Sequence, residues 1–90
     1  MYLAKVTGTV VSTSKDEGLV GFKLLLARRI DADGEASGMP EVCVDTVGAG
    51  AGETVIVTKG SSARFAADRE RAPLDATIVG IVDAVEDEER

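Results

Sequence analysis

Ninety residues, 44% of them hydrophobic but only 3% aromatic, fit one small domain whose core must come from Val, Leu, Ile and Ala, and so short a chain gains from a partner subunit. The net charge of −6, of which the terminal EDEER (86–90) supplies −3, has the wrong sign for neutralising nucleic-acid phosphates. Lys23 breaks the longest apolar run short of a membrane span, MYLAKV has no signal-peptide pattern, and one cysteine makes no disulfide framework, so the composition reads as cytosolic.

Residues 2–13 alternate, with Tyr2, Ala4, Val6, Gly8 and Val10 on one side and Lys5, Thr7, Thr9 and Thr13 on the other, the period of a half-buried strand. Residues 14–18 read as a turn. The apolar run 19–30 then predicts a strand loaded on both faces, with Val20, Phe22, Leu24 and Leu26 against Leu19, Leu25 and Ala27. Such a strand suits a closed barrel whose outside touches another surface. DADGEASG (31–38) is a turn cluster with Asp33-Gly34 its sharpest signal. Short strands are expected over 41–47 and 54–58, separated by Gly48, Gly50 and Gly52. After Gly60, Ser61 or Ser62 is placed to N-cap a brief helix through Ala63, Arg64, Phe65, Ala66 and Ala67. DRERAP closes on Pro73, 77–85 is the last strand, and 86–90 is a solvated acidic tail. The expected fold is all-β: an OB-like five-stranded β-barrel over 1–85 with one short helix before the last strand. An OB fold usually carries its helix between the third and fourth strands instead.

Chemical sites are hard to assemble from these residues. Gly48, Gly50 and Gly52 lack the G-x-x-G spacing of a dinucleotide fingerprint, and a β-branched run rather than a helix follows them. Lys59-Gly60-Ser61 has the wrong order for a P-loop. There is no histidine to act as a base or metal ligand. Cys43 reads as a small buried hydrophobe, and Asp45, Asp75 and Asp83 stand at turns or strand ends, where Asp commonly accepts from backbone N–H groups. No catalytic, cofactor-binding or metal-binding residue is assigned, and no cofactor is expected. Single-stranded nucleic acid needs a cationic groove with stacking rings. Here Phe22 reads as core, and Arg64, Arg69 and Arg71 are interleaved with Asp68 and Glu70 as a salt-bridged surface loop.

Four blocks, KVTGTVVSTSK, GFKLLLARRID, DTVGAGAGETVIVTKGSSAR and PLDATIVGIVDAV, together resemble the EutN/CcmL family of bacterial microcompartment vertex proteins. The resemblance covers residues 2–85, and GAG-x-GE followed by GSSAR is its most distinctive part. It implies a non-catalytic structural protein that forms homopentamers and closes the vertices of a shell tiled by hexameric and pseudohexameric proteins, in the bacterial cytoplasm, with encapsulated enzymes as further contacts and with neither nucleic acid nor membrane as partner. It implies further that Gly48, Ala49, Gly50, Ala51, Gly52 and Glu53 form a shell-docking loop, where absent Cβ atoms permit close approach; a turn between strands is the simpler alternative. Gly60, Ser61, Ser62, Ala63 and Arg64 would face a neighbouring subunit or the five-fold axis, or else make only a cap and a local ion pair. The alternative to a vertex protein is an OB-like nucleic-acid or small-ligand binding module.

Overall fold

The computed structural model describes residues 1–89; Arg90, the last residue of the acidic tail, lies outside them. Five strands, β1 (Tyr2–Val10), β2 (Lys23–Arg29), β3 (Glu41–Asp45), β4 (Thr54–Lys59) and β5 (Ala76–Val82), close into a barrel in the order β1-β2-β3-β5-β4. Helix α1 (Gly60–Ala66) lies between β4 and β5, as the sequence predicts. All strand pairs are antiparallel except the closing one, β3 with β5, which is parallel and pairs only Val44 with Thr77 and Asp45 with Ile78.

Three local expectations need correction. The alternation of β1 does not run unbroken: a bulge between Val6 and Gly8 shifts the register, and one extra residue turns the following side chains to the opposite face. Ala4 and Val6 enter the barrel, whereas Val10 pairs with Leu24 and packs outside it. The run 19–30 is not all strand. Glu17–Leu19 form a 3-10 turn capped by Asp16, and Gly21 at φ +93° swings the chain before β2 begins. Finally, neither Ser61 nor Ser62 caps α1. The N-cap is Lys59, with no side-chain cap bond. Gly60 at φ +65° turns β4 directly into the helix, so both serines fall in its first turn.

Small and medium side chains fill the interior: Ala4, Val6, Leu25, Ala27, Cys43, Ala49, Val55, Val57, Ala76 and Ile78. Burial there pushes the Cys43 thiol up to about 11. A second cluster lies outside the barrel, where Leu24 and Val44 of β2 and β3 meet Ala63 of α1, its C-cap Ala67, and Ala72 and Leu74 of the next loop. The Thr77 hydroxyl donates to the Ala63 carbonyl at 2.8 Å and fixes α1 to β5. The outer apolar face of β2 is therefore covered in part by its own chain. Its neighbour pair, Leu26 opposite Val42, stays partly open to solvent.

One mouth of the barrel is braced by side chains. Glu41 on β3 accepts from the Tyr2 hydroxyl of β1 and from the Lys59 ammonium of β4, and Lys59 also lies 3.5 Å from Asp75. The Arg29 guanidinium sits over the Tyr2 ring at 4.9 Å, a cation–π geometry. Hydrogen bonds from Lys59 and Tyr2 hold the Glu41 carboxyl below its usual range, the Glu41 contact raises Lys59, and burial with the Glu41 bond pushes Tyr2 up.

Truncation of Leu25, only 1% exposed in the barrel centre, is expected to cost about 2–5 kcal/mol as Leu25→Ala, read by denaturant unfolding. A carboxyl lowered by folding contributes stability above its unfolded pKa, taken as 4.5 for Glu41, and loses it as pH falls through the lower folded value. Glu41→Gln should therefore reduce stability by roughly 0.5–1 kcal/mol at neutral pH, since the pair is partly exposed and screened. The two proteins should converge as pH falls below 4.5 through that folded value. A constant gap across the titration would show that the charge contributes nothing.

Candidate functional site

Two segments carry the residues singled out by the sequence. The first leaves β3 at Asp45, whose side chain is only 4% exposed. Its carboxylate accepts from the backbone N–H groups of Val47, Gly48 and Ala49 at 3.2, 3.0 and 3.0 Å. Three N–H groups turned to one carboxylate fix the course of the chain as it leaves the strand. Lys23 lies 3.8 Å from Asp45 and donates to the Ala49 carbonyl at 2.5 Å. Asp45 is thus the strand-end acceptor that the sequence suggested, whereas nothing in the sequence showed that Lys23, on another strand, closes the same turn.

The far side of the loop is tied as firmly. The Gly50 N–H donates to the Glu53 carboxylate at 2.7 Å, and the Glu53 N–H to the Gly50 carbonyl at 3.2 Å. Gly52 N–H donates to the Val6 carbonyl and Val6 N–H to the Glu53 carbonyl, anchoring the loop on β1. Glu53 therefore spends one carboxylate oxygen inside its own loop. Ala49 is wholly buried and its methyl is part of the barrel core, so the exposed surface is made by Gly48, Ala51 and Gly52, with Gly50 half-buried between them.

The glycines have different reasons to be glycine. Gly48 and Gly52 sit at φ +80° and +88°, where a Cβ is costly. Gly50 does not have positive φ, and a Cβ there would meet only a Glu53 carboxylate oxygen at 3.6 Å, ordinary contact. The chain's own fold demands the first two and tolerates a side chain at the third.

The second segment follows the Glu41–Lys59 brace. Gly60 N–H donates to the Asp75 carbonyl at 3.0 Å, Ala63 is buried under the helix, and Ser61 and Ser62 are exposed. The Arg64 guanidinium donates to the Leu74 carbonyl at 3.3 Å. Ser61, Ser62, Arg64, Phe65 and Glu70 line an open cleft. The expected salt-bridged loop is absent: among the described residues no ion pair joins Arg64, Arg69 or Arg71 to Asp68 or Glu70. Arg69 instead lies 5.3 Å over the Phe22 ring, which packs against the outer cluster. Phe22 is thereby core, as its sequence position implied, and one of the few cations is drawn onto it.

The two segments are not one site. The Asp45 turn borders β1 and β2, while α1 packs on β4 and β5. Neither assembles a nucleophile with a base and an orienting group. Both present small side chains and backbone on a rigid support, an arrangement suited to contact with another protein surface.

The family model described as "Ethanolamine utilisation protein EutN/carboxysome" matches residues 1–83. The chain is 56% identical to the bacterial microcompartment shell vertex protein GrpN of Rhodospirillum rubrum, with 96% of this chain and 97% of GrpN covered. It is 52% identical to the shell vertex protein PduN of Salmonella typhimurium, over 94% and 98% of the two chains. The structure of the R. rubrum GrpN pentameric microcompartment shell protein superposes with a TM-score of 0.88 at 55% identity, covering 97% of this chain and 99% of that one. With its barrel, its loop and its α1 segment all inside the matched region, the chain belongs to the EutN/CcmL family.

Proposed function

We propose that this chain assembles into homopentamers that cap the vertices of a bacterial microcompartment shell. The observation that carries the reading is the likeness, over nearly the full length of both chains, to a pentameric shell protein of the same family. The role is structural rather than enzymatic. Hexameric and pseudohexameric shell proteins are the neighbours such a pentamer would meet, and the setting is the shell of an organelle in the bacterial cytoplasm. The geometry supports the docking role of residues 48–53 through Gly50. A rigid loop whose central glycine is not required by its own backbone has that position available for the close approach of another chain. The acidic balance and the engagement of Phe22 and Arg69 with each other argue against the nucleic-acid alternative.

Arg64 supports a subunit contact in a modified form. Its guanidinium has one protein acceptor among the described residues, the Leu74 carbonyl, and the forked donor set of arginine extends beyond one bond.

Native mass spectrometry over a dilution series should give a persistent five-subunit species; a monomer at every concentration would remove the vertex reading. Gly50→Val is expected to keep the melting temperature and oligomer mass of the parent while incorporating poorly into shells formed with hexameric shell proteins. Normal closure of those shells would leave the loop as a turn only. Arg64→Ala should shift pentamer dissociation to higher protein concentration by roughly tenfold, the equivalent of about 1.4 kcal/mol. An unchanged midpoint would confine Arg64 to its own chain.

A further inference from the structure

Glycine-rich turns often offer their N–H groups to a bound anion. The loop between β3 and β4 does the reverse. From Val47 to Glu53, every N–H but that of Ala51 is used by the described residues of the chain itself. Three go to Asp45, and the others to the Glu53 carboxylate and to the Val6 and Gly50 carbonyls. The carbonyls of Val47, Gly48, Ala51 and Gly52 have no hydrogen-bond partner among the described residues. The free capacity of the loop therefore lies with acceptors, and a surface that meets it must bring donors.

Two carboxylates flank this loop, and one of them has room for a further donor. Asp45 is nearly buried, holds three N–H groups and has Lys23 beside it. Glu53 is half-buried and accepts the Gly50 N–H through Oε1 alone. Among the described residues it has no ion-pair partner, and its second oxygen accepts nothing. The missing side chain of Gly50 lies beside that carboxylate. A Cβ there would meet, beyond the adjoining residues, one atom within 4 Å, Glu53 Oε1 at 3.6 Å. The space over this glycine is thus bounded by a carboxylate oxygen and by no apolar group, at a position where the fold does not itself require glycine.

We propose that the space over Gly50 receives a cationic side chain, arginine or lysine, from an adjoining hexameric shell protein, with Glu53 as its counter-ion. This inference rests on the docking role proposed for residues 48–53 and adds the chemistry of the partner. A neutral amide would satisfy a free carbonyl but leave the carboxylate without a charge partner. A cation satisfies both, and charge-assisted bonds to a carboxylate are the stronger kind. An apolar or anionic group would cover the Glu53 carboxylate without supplying a donor, which is costly. The Gly50 N–H holds the carboxylate in place before the partner arrives, so little freedom is lost on docking. The net charge of −6 draws a cationic edge toward the chain.

Glu53→Gln removes the charge but keeps an oxygen that can accept the Gly50 N–H, so the loop retains its own hydrogen bonds. Parent, Glu53→Gln and Gly50→Val pentamers are each mixed with an excess of hexameric shell protein, and the pentamer incorporated into shells is measured at low and high NaCl. Native mass and melting temperature of the free pentamers are measured alongside. Glu53→Gln should match the parent in mass and melting temperature while its incorporation at low salt falls at least about tenfold. That deficit should shrink to about threefold or less at high salt, where the ion pair is screened. Parent-like closure by Glu53→Gln together with failure of Gly50→Val would overturn the cation contact and leave the docking loop standing. Normal closure by both variants, or no incorporation of the parent, would remove the docking reading itself. Loss of the pentamer in Glu53→Gln would place the carboxylate between copies and overturn the proposal as well. As a second measurement, Glu53→Lys should enter shells less than Glu53→Gln does, because like charges would then face each other. Equal or better incorporation of the lysine variant would show that no cation meets this position.

Discussion

The interior of a barrel closed by five short strands is narrow, because barrel diameter falls with strand number, and this chain fills it with Ala, Val, Leu, Ile and one Cys. Its fully buried residues include no aromatic ring, and Tyr2 packs against them only partly buried at one mouth. That limit on the inside governs the outside, since the remaining apolar residues must go elsewhere. Some are used within the chain: Leu24, Val44 and Leu74 pack under α1. Others stay on the surface, with Val42 half exposed and Phe65 almost fully so. The apolar excess is therefore a property of barrel size as much as of composition, and assembly into a closed ring is the physically economical place for it.

The same closure explains where the polar groups cluster. The β3–β5 seam is parallel and only two residue pairs long, and the Thr46 hydroxyl extends it by donating to the Ile78 carbonyl at 2.7 Å. At one mouth Glu41 ties β3 to β1 and β4 through Tyr2 and Lys59. Where β3 ends, the nearly buried Asp45 carboxylate collects three N–H groups and is approached by Lys23. A buried charge is costly without partners; with three donors and a cation it becomes a rigid pivot for the glycine loop. The loop is thus held by the barrel rather than left to sample many shapes, and a rigid loop loses little entropy when it meets a partner.

Much of this was readable from residue order, and the unreadable part has a consistent cause. The strand set, the helix before β5 and the core role of Cys43 and Phe22 follow from period and residue type, which are local signals. The motif blocks added the family and with it the assembly. The bulge after Val6 was invisible because alternation continues through Val10 in the sequence while the pairing with β2 slips. The cap on α1 was misplaced because a serine after a glycine resembles a capping signal, and only the left-handed Gly60 shows that the helix has already begun. Lys23 at the Asp45 turn and the Tyr2–Glu41–Lys59 brace join residues far apart in the chain. Pair geometry of that kind exists only after the barrel has closed.

Separating residues by what holds them in place sharpens the division between fold and assembly. Gly48 and Gly52 are fixed by backbone sign, Ala49 by the core, Asp45 by the three N–H groups that donate to it, and Ala63 by complete burial in the outer cluster. Among the residues whose identity the single chain does not require are Gly50 with room for a side chain, Ser61 and Ser62 exposed on α1, Phe65 in solvent, and the Leu26–Val42 strip. These residues lie on two separate supports, the Asp45 turn and the α1 side of the barrel. The vertex role we propose calls for two such surfaces, one toward other copies of the chain and one toward the rest of the shell. On that proposal the apolar one suits a permanent contact between copies, since obligate interfaces are the more hydrophobic. The glycine loop, nearly all backbone and small side chains, offers little apolar area and matches a contact made by close backbone approach.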